Sequence, residues 1–201
     1  MRQAGAMAAR VGARVLVDEV YLESLFDQPW RSAFHLGANF VVTSSLTKAY
    51  GLSGIRCGWI LAQPDVVQRM WQVVDFTYGS PVHPAELLAV TVLDNLDRVR
   101  SRARALLEMN RVLVNEFLAS HPDLDCEPSR FGTTVFPRLK LGRTEEFVEM
   151  LREQFETSVV PGAFFEQPQH FRIGFGGATE TVRGGLARLN AALEAFQQRS
   201  R

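Results

Sequence analysis

Three segments of the chain set charged side chains beside apolar, strand-like runs. They are Val17-Asp18-Glu19-Val20-Tyr21, then Ser44-Ser45-Leu46-Thr47-Lys48-Ala49-Tyr50-Gly51-Leu52-Ser53-Gly54-Ile55-Arg56, then Phe171-Arg172-Ile173-Gly174. A carboxylate, an amine and guanidinium groups can hold and act on a small charged ligand. In α/β sheets ligands bind beyond the carboxyl ends of the strands, and Asp18 and Lys48 fall at such ends. Charges there call for partners, because an isolated buried ion is expensive. Plainer readings stand beside these. Lys48 could be a surface lysine, although its place after a buried strand, between Ser45 and Gly51, argues against that. Asp18 could be a helix cap or a solvent-facing acid, Tyr21 an ordinary half-buried tyrosine, and Ser45 a turn serine. Arg56 could form a surface ion pair, and Arg172 could pair with Glu166 or Glu180.

Other patterns carry less. Gly174-Phe175-Gly176-Gly177 lies between a strand and a helix, as a nucleotide loop does. The acid about twenty positions on, Glu194, falls within a helix instead of ending a second strand, so a dinucleotide site fails. The histidines at 35, 83, 121 and 170 have no i, i+4 pairing and no cysteine partner, which disfavours a metal site. Trp30, Trp59 and Trp71 read as core or interface residues.

The elements that must position these groups follow from hydropathy. Residues 3–11 read as the end of a helix, with Ala6, Ala9 and Val11 packed and Arg2 and Arg10 exposed. Continuous apolar runs at 14–17, 39–45 and 55–62 suit strands buried on both faces, as in a parallel sheet. Helical spacing follows at 65–74, a loop at 78–84, and a long helical pattern from about 85 to 120. A strand region at 132–141, a helix at 145–157, a short strand at 171–175 and a last helix at 179–198 complete the chain. The expected class is α/β, with a small α+β portion at the end. Domain bounds are expected at 1–83, 84–120 for a connecting helix, and 121–201. Three strands make a thin sheet, so the chain reads as the C-terminal portion of a larger protein. Such a chain should expose apolar sheet surface and keep its site open on one side.

The chain has 201 residues, 46% of them hydrophobic and 22% charged, in the range of globular proteins. Its 22 basic and 22 acidic residues balance, without the basic excess usual in a nucleic-acid binder. Two cysteines, Cys57 and Cys126, are too few for a disulfide framework and fit a reducing, cytoplasmic setting. No apolar run approaches the ~20 residues of a membrane span. Arg10 and Arg14 interrupt the only stretch resembling a leader.

Taken in order, the three segments resemble the fold-type I pyridoxal-phosphate enzymes, and within them the class I/II aminotransferases. The likeness rests on the Ser-x-x-Lys run with Arg56 eight residues after Lys48, on Asp18-x-x-Tyr21 thirty residues before that lysine, and on the late Arg172. It implies the large cofactor domain's mixed or parallel sheet followed by a small C-terminal domain. It also implies roles. Lys48 would form a Schiff base with the aldehyde of pyridoxal 5'-phosphate and later shuttle a proton at the α-carbon. Asp18 would keep the pyridine nitrogen protonated, while strand alternation turns Glu19 to the other face. Tyr21 would donate to the phenolic oxygen. Ser45 and Arg56 would hold the phosphate, with Ser44 or Thr47 as substitutes for the serine. Arg172 would clamp a substrate α-carboxylate. Amino-acid and 2-oxo-acid substrates and a homodimer follow from the same likeness. A decarboxylase or lyase on this scaffold, or a non-catalytic fragment acting as an interaction module, are the alternatives. The Lys48 segment also resembles the histidinol-phosphate aminotransferase subgroup.

Overall fold

The computed structural model describes residues 1–26, 28–77, 79–80 and 82–199. Tyr78 and Pro81 of the expected 78–84 loop lie outside them. Residues 1–103 and 104–201 form two compact units.

The first unit starts with helix α1 (Arg2–Arg10) and strand β1 (Val15–Asp18), then β2 (Phe40–Ser45) and β3 (Gly58–Leu61). These strands form one sheet in the order β1-β2-β3. β1 runs parallel to β2, with Asp18 beside Thr43. β3 returns antiparallel, with Gly58 opposite Ser45. Val15, Val17, Phe40 and Val42 pack with Ala33, Phe34 and Leu36 on one face. The last three lie in or beside the 3-10 turn Ala33–Leu36. The inward face of α1 differs from expectation. Gly5 is buried, whereas Ala6 and Ala9 are exposed and Val11 is 79% exposed. The cause is close approach: a Cβ on Gly5 would stand 2.6 Å from Phe40 Cε2, so only glycine lets the helix lie there.

The expected third strand begins late. Ser53–Ile55 forms a 3-10 turn and Arg56 takes the left-handed region at φ 56°, so pairing starts only at Gly58. Helix α2 (Pro64–Thr77) opens on Pro64 and Asp65, which suit the first turn because proline has no N–H to leave unpaired and the acid meets the dipole. The long helical pattern is two helices, α3 (His83–Asp94) and α4 (Leu96–Ser120). Asn95 interrupts them. Its side chain donates back to Thr91 O at 2.9 Å, and its carbonyl accepts from Arg98 and Val99 to start the next helix. The division between the two units falls within α4.

The second unit continues through β4 (Leu124–Asp125), β5 (Thr134–Val135), β6 (Arg138–Leu139), α5 (Thr144–Phe155), β7 (Val160–Pro161), β8 (Phe171–Gly174) and α6 (Thr179–Arg199). The single strand region expected at 132–141 is thus two short strands in different sheets: β4 pairs β6, and β5-β8-β7 form a second antiparallel set. Phe147 on α5 centres the core, 5.5 Å from the Phe171 ring and 5.4 Å from that of Phe196. Rings of this size bury enough apolar area to hold strands of two to four residues in place.

Asn110 on α4 is fully buried and fixes the turn after β8. Its amide donates to Phe175 O and Gly177 O, each at 2.8 Å. Because both acceptors are carbonyls, the amide nitrogen must face them. Asn110→Asp would set a carboxylate against both oxygens. At about 1–3 kcal/mol per unsatisfied buried group, urea unfolding should show a loss of about 2–6 kcal/mol. A loss under about 1 kcal/mol would contradict this clamp.

Candidate active site

Sheet register brings four of the expected site residues to one end of the first unit. Asp18 ends β1 beside Thr43, and Ser45 ends β2 opposite Gly58. Lys48 follows in the loop leaving β2, and Arg56 lies two residues before β3. Asp18, Lys48 and Arg56 are exposed and Ser45 is half-buried. The Asp18 Oδ1 accepts from Val20 N at 3.2 Å and from the Thr43 hydroxyl at 3.4 Å. No hydrogen bond or ion pair to a described residue engages Asp18 Oδ2 or Lys48 Nζ. The Arg56 guanidinium donates to Ser53 O at 3.3 Å.

Alternation sorts the neighbours. Glu19 lies on the opposite face, where its Oε1 accepts from Ala33 N at 2.6 Å. Ser44 is buried, its hydroxyl 3.5 Å from Glu19 O. Ser45 stays on the Asp18 side, with Oγ accepting from Thr47 N at 3.3 Å. Tyr21 is 42% exposed. Its carbonyl accepts from Ser24 N at 3.0 Å and Ser24 Oγ at 2.6 Å, which locks the 3-10 turn Leu22–Ser24 behind it. The loop of Lys48 is tied at its base by Leu52 N donating to Leu46 O at 3.0 Å. A positive φ of 68° at Gly51 permits that return.

Two further residues escape a reading by motif. The Tyr50 ring is buried against Leu46, Ala49 and Ala89, with the Glu23 carboxylate nearby. Burial pushes the Glu23 carboxyl above its ordinary value, opposed by the nearby Tyr50 hydroxyl and the Arg100 charge and reinforced by Glu19. The Tyr50 hydroxyl is also pushed up, first by burial and then by the Glu23 charge, so it remains a donor at neutral pH. Arg100 donates to Phe26 O at 3.4 Å.

In the second unit Arg172 is half-buried on β8, paired in register with Val160. Its guanidinium lies 5.1 Å from the centre of the Phe165 ring, a cation–π distance. It makes no ion pair with Glu166, Glu180 or another described residue. Cys57 and Cys126 are free and half-buried, and burial raises the Cys126 thiol. Among the described residues no cluster of three potential metal ligands occurs, and no helix is long and apolar enough to cross a membrane.

Residues 2–189 match the family model for aminotransferase class I and II. The capreomycidine synthase of Streptomyces vinaceus is 28% identical over 190 residues, covering 93% of this chain and 49% of that protein. A PLP-dependent (pyridoxal-phosphate-dependent) aminotransferase from Streptococcus suis 89-1591 superposes with a TM-score of 0.89 at 28% identity, over 97% of this chain and 52% of that one. The PLP-dependent cyclase OrfR superposes with a TM-score of 0.84 at 25% identity, over 98% and 54%. The chain thus spans about half the length of the curated relatives it matches.

The Glu23 shift has a direction that a titration can check. A carboxyl raised in the folded state favours folding fully below its unfolded value, ordinarily 4.5, and that contribution is lost as pH rises through the folded value. Glu19, Tyr50 and Arg100 are the groups coupled to it. Glu23→Gln should therefore gain stability over the parent as pH rises from 4 to 8, measured by urea unfolding at each pH. A difference that shrinks with rising pH would reverse the assignment.

Proposed function

We propose that this chain, which belongs to the aminotransferase class I and II family, carries the cofactor-holding end and the carboxylate clamp of a pyridoxal-phosphate-dependent aminotransferase. One observation carries the reading. A carboxylate and an amine that, among the described residues, leave Asp18 Oδ2 and Lys48 Nζ without partners stand with a hydroxyl and a guanidinium at the same end of one sheet. That donor set fits a cofactor with a basic ring nitrogen, an aldehyde and a phosphate.

When bound, pyridoxal phosphate supplies an aldehyde that condenses with amines and a ring that accepts the electron pair released at an amino acid's α-carbon. The chain's residues do the rest. Asp18 Oδ2 holds a proton on the ring nitrogen, while the Thr43 hydroxyl and Val20 N steady Oδ1. Tyr21 donates from its hydroxyl to the phenolic oxygen. Ser45 and Arg56 bind the phosphate, Arg56 by its planar fork. Lys48 Nζ would be the amine that holds the cofactor at its aldehyde, and it would serve as the base that moves the proton at the substrate's α-carbon. Arg172 binds the substrate's α-carboxylate.

Substrates of this reading are an amino acid and a 2-oxo acid, and the working unit is a homodimer. The free thiols fit a reducing, cytoplasmic compartment. Activity also requires the portion of the family fold that this chain does not match. Leu16, in mid-strand, is 70% exposed and Ile60 is 47% exposed. β1 has no second strand partner among the described residues. Both features are what a further strand and helix layer would cover. The names capreomycidine synthase and PLP-dependent cyclase favour a second reading, in which the same residues serve ring-forming chemistry without net amino transfer.

Three measurements test this. The chain has two lysines, Lys48 and Lys140. Borohydride reduction after pyridoxal phosphate, followed by peptide mapping, should mark Lys48; marking of Lys140 alone would end the assignment. With the complementary half supplied, the first reading expects a 2-oxo acid from an amino acid, and the second expects none. Under either, Arg172→Ala should weaken amino-acid binding by about 1.5–3 kcal/mol, the range for hydrogen bonds to charged groups, and leave cofactor binding unchanged. Equal affinity of parent and variant would contradict the clamp.

A further inference from the structure

Arg172 has an aromatic neighbour that is itself held in place. The 3-10 turn Gly162–Phe165 carries Phe165, whose ring centre lies 5.1 Å from the Arg172 guanidinium. This turn is fastened to the segment that enters β8. Gly162 N donates to His170 O at 2.8 Å, Gln167 N donates to Gly162 O at 3.0 Å, and His170 N donates to Gln167 O at 2.9 Å. Gly162 is buried, and a Cβ there would collide with Gln167 O and His170 O, so the loop closes this tightly only on glycine. Phe136 completes the arrangement. Its ring stands nearly perpendicular to that of Phe165 at 5.6 Å and is stacked on His170 at 5.0 Å. Phe165 is 43% exposed, so burial alone does not explain a ring fixed at this spot. The closed loop and the two ring contacts do.

We propose that Phe165 is a positioning residue of the carboxylate clamp: its ring orders the Arg172 guanidinium before a substrate arrives, and Phe136 steadies that ring. The inference rests on Arg172 as the group that binds the substrate's α-carboxylate. An arginine side chain has several rotatable bonds, and ordering such a side chain at the moment of binding weakens affinity about two- to tenfold. A ring face removes that cost in advance, because it attracts the cation electrostatically. It does so without offering a carboxylate acceptor. A carboxylate in the place of Phe165 would take the N–H fork for itself, whereas the ring leaves the fork to the substrate.

Two variants and one probe separate positioning from packing. Phe165→Leu keeps apolar bulk and removes the ring; Phe165→Tyr keeps the ring. The probe is acetate, titrated into the chain and followed by NMR at the Arg172 Nε–H signal, with acetamide as the uncharged control. In the parent, acetate should move that signal saturably and acetamide should not. Phe165→Leu should weaken acetate binding at least about fourfold, and Phe165→Tyr should stay within about twofold of the parent. The Arg172 δ-methylene protons report order without any ligand. Ring currents should displace them upfield in the parent and in Phe165→Tyr, and Phe165→Leu should return them to the ordinary arginine position. Equal acetate affinity in Phe165→Leu and the parent would overturn the proposal while leaving the clamp standing. So would a loss in Phe165→Tyr equal to that in Phe165→Leu, the mark of packing alone. No saturable acetate shift at Arg172 in the parent would instead overturn the clamp reading, and the proposal with it.

Discussion

Parallel pairing of β1 with β2 is the constraint on which the first unit depends. The register that sets Asp18 beside Thr43 ends both strands on the same side of the sheet. Had the register slipped by one residue, Asp18 and Glu19 would exchange faces, and the carboxylate beside Thr43 would turn toward the Ala33–Leu36 turn. The apolar face fixes that register. Val15, Val17, Phe40 and Val42 must all enter the cluster with Ala33 and Phe34, and Gly5 lets α1 close over Phe40. Hydrophobic burial on one face therefore decides which charges stand at the end of the sheet.

The second unit meets a different demand. Its strands are two to four residues long and cannot hold a guanidinium in place by ladder bonds alone. Phe147, Phe171 and Phe196 pack their rings together at 5.4–5.5 Å, and Asn110 fastens the backbone just after β8. Phe165 lies beside Arg172. The arginine is thus backed by an aromatic face and has no carboxylate partner among the described residues.

Much of this was legible in the sequence, for physical reasons that differ by element. β1 and β2 open on apolar runs rich in valine, and a charge at or just beyond the end of such a run is hard to explain as packing; Asp18 and Lys48 are singled out that way. Glu19 is set aside by alternation, and Glu19 indeed reaches Ala33 N on the far face. The start of β3 was not legible, because the left-handed turn at Arg56 leaves no apolar signature. The break at Asn95 was hidden too: asparagine fits an exposed helical position, and its non-helical backbone and its bond to Thr91 O carry no periodic signal. The expected packing face of α1 failed because a close approach at Gly5 outweighs the hydrophobicity of Ala6 and Ala9. Thr43 belongs to no motif. Its place beside Asp18 arises from pairing of two segments distant in sequence, which periodicity does not encode.

The central claim is that one end of the three-stranded sheet receives the cofactor. Amide chemical shifts of the labelled chain, followed as pyridoxal phosphate is added, test it most directly. The account predicts shifts concentrated at residues 18–21, 43–48 and 53–58, with residues 104–201 nearly unmoved. Shifts confined to 104–201, or centred on Lys140, would contradict it.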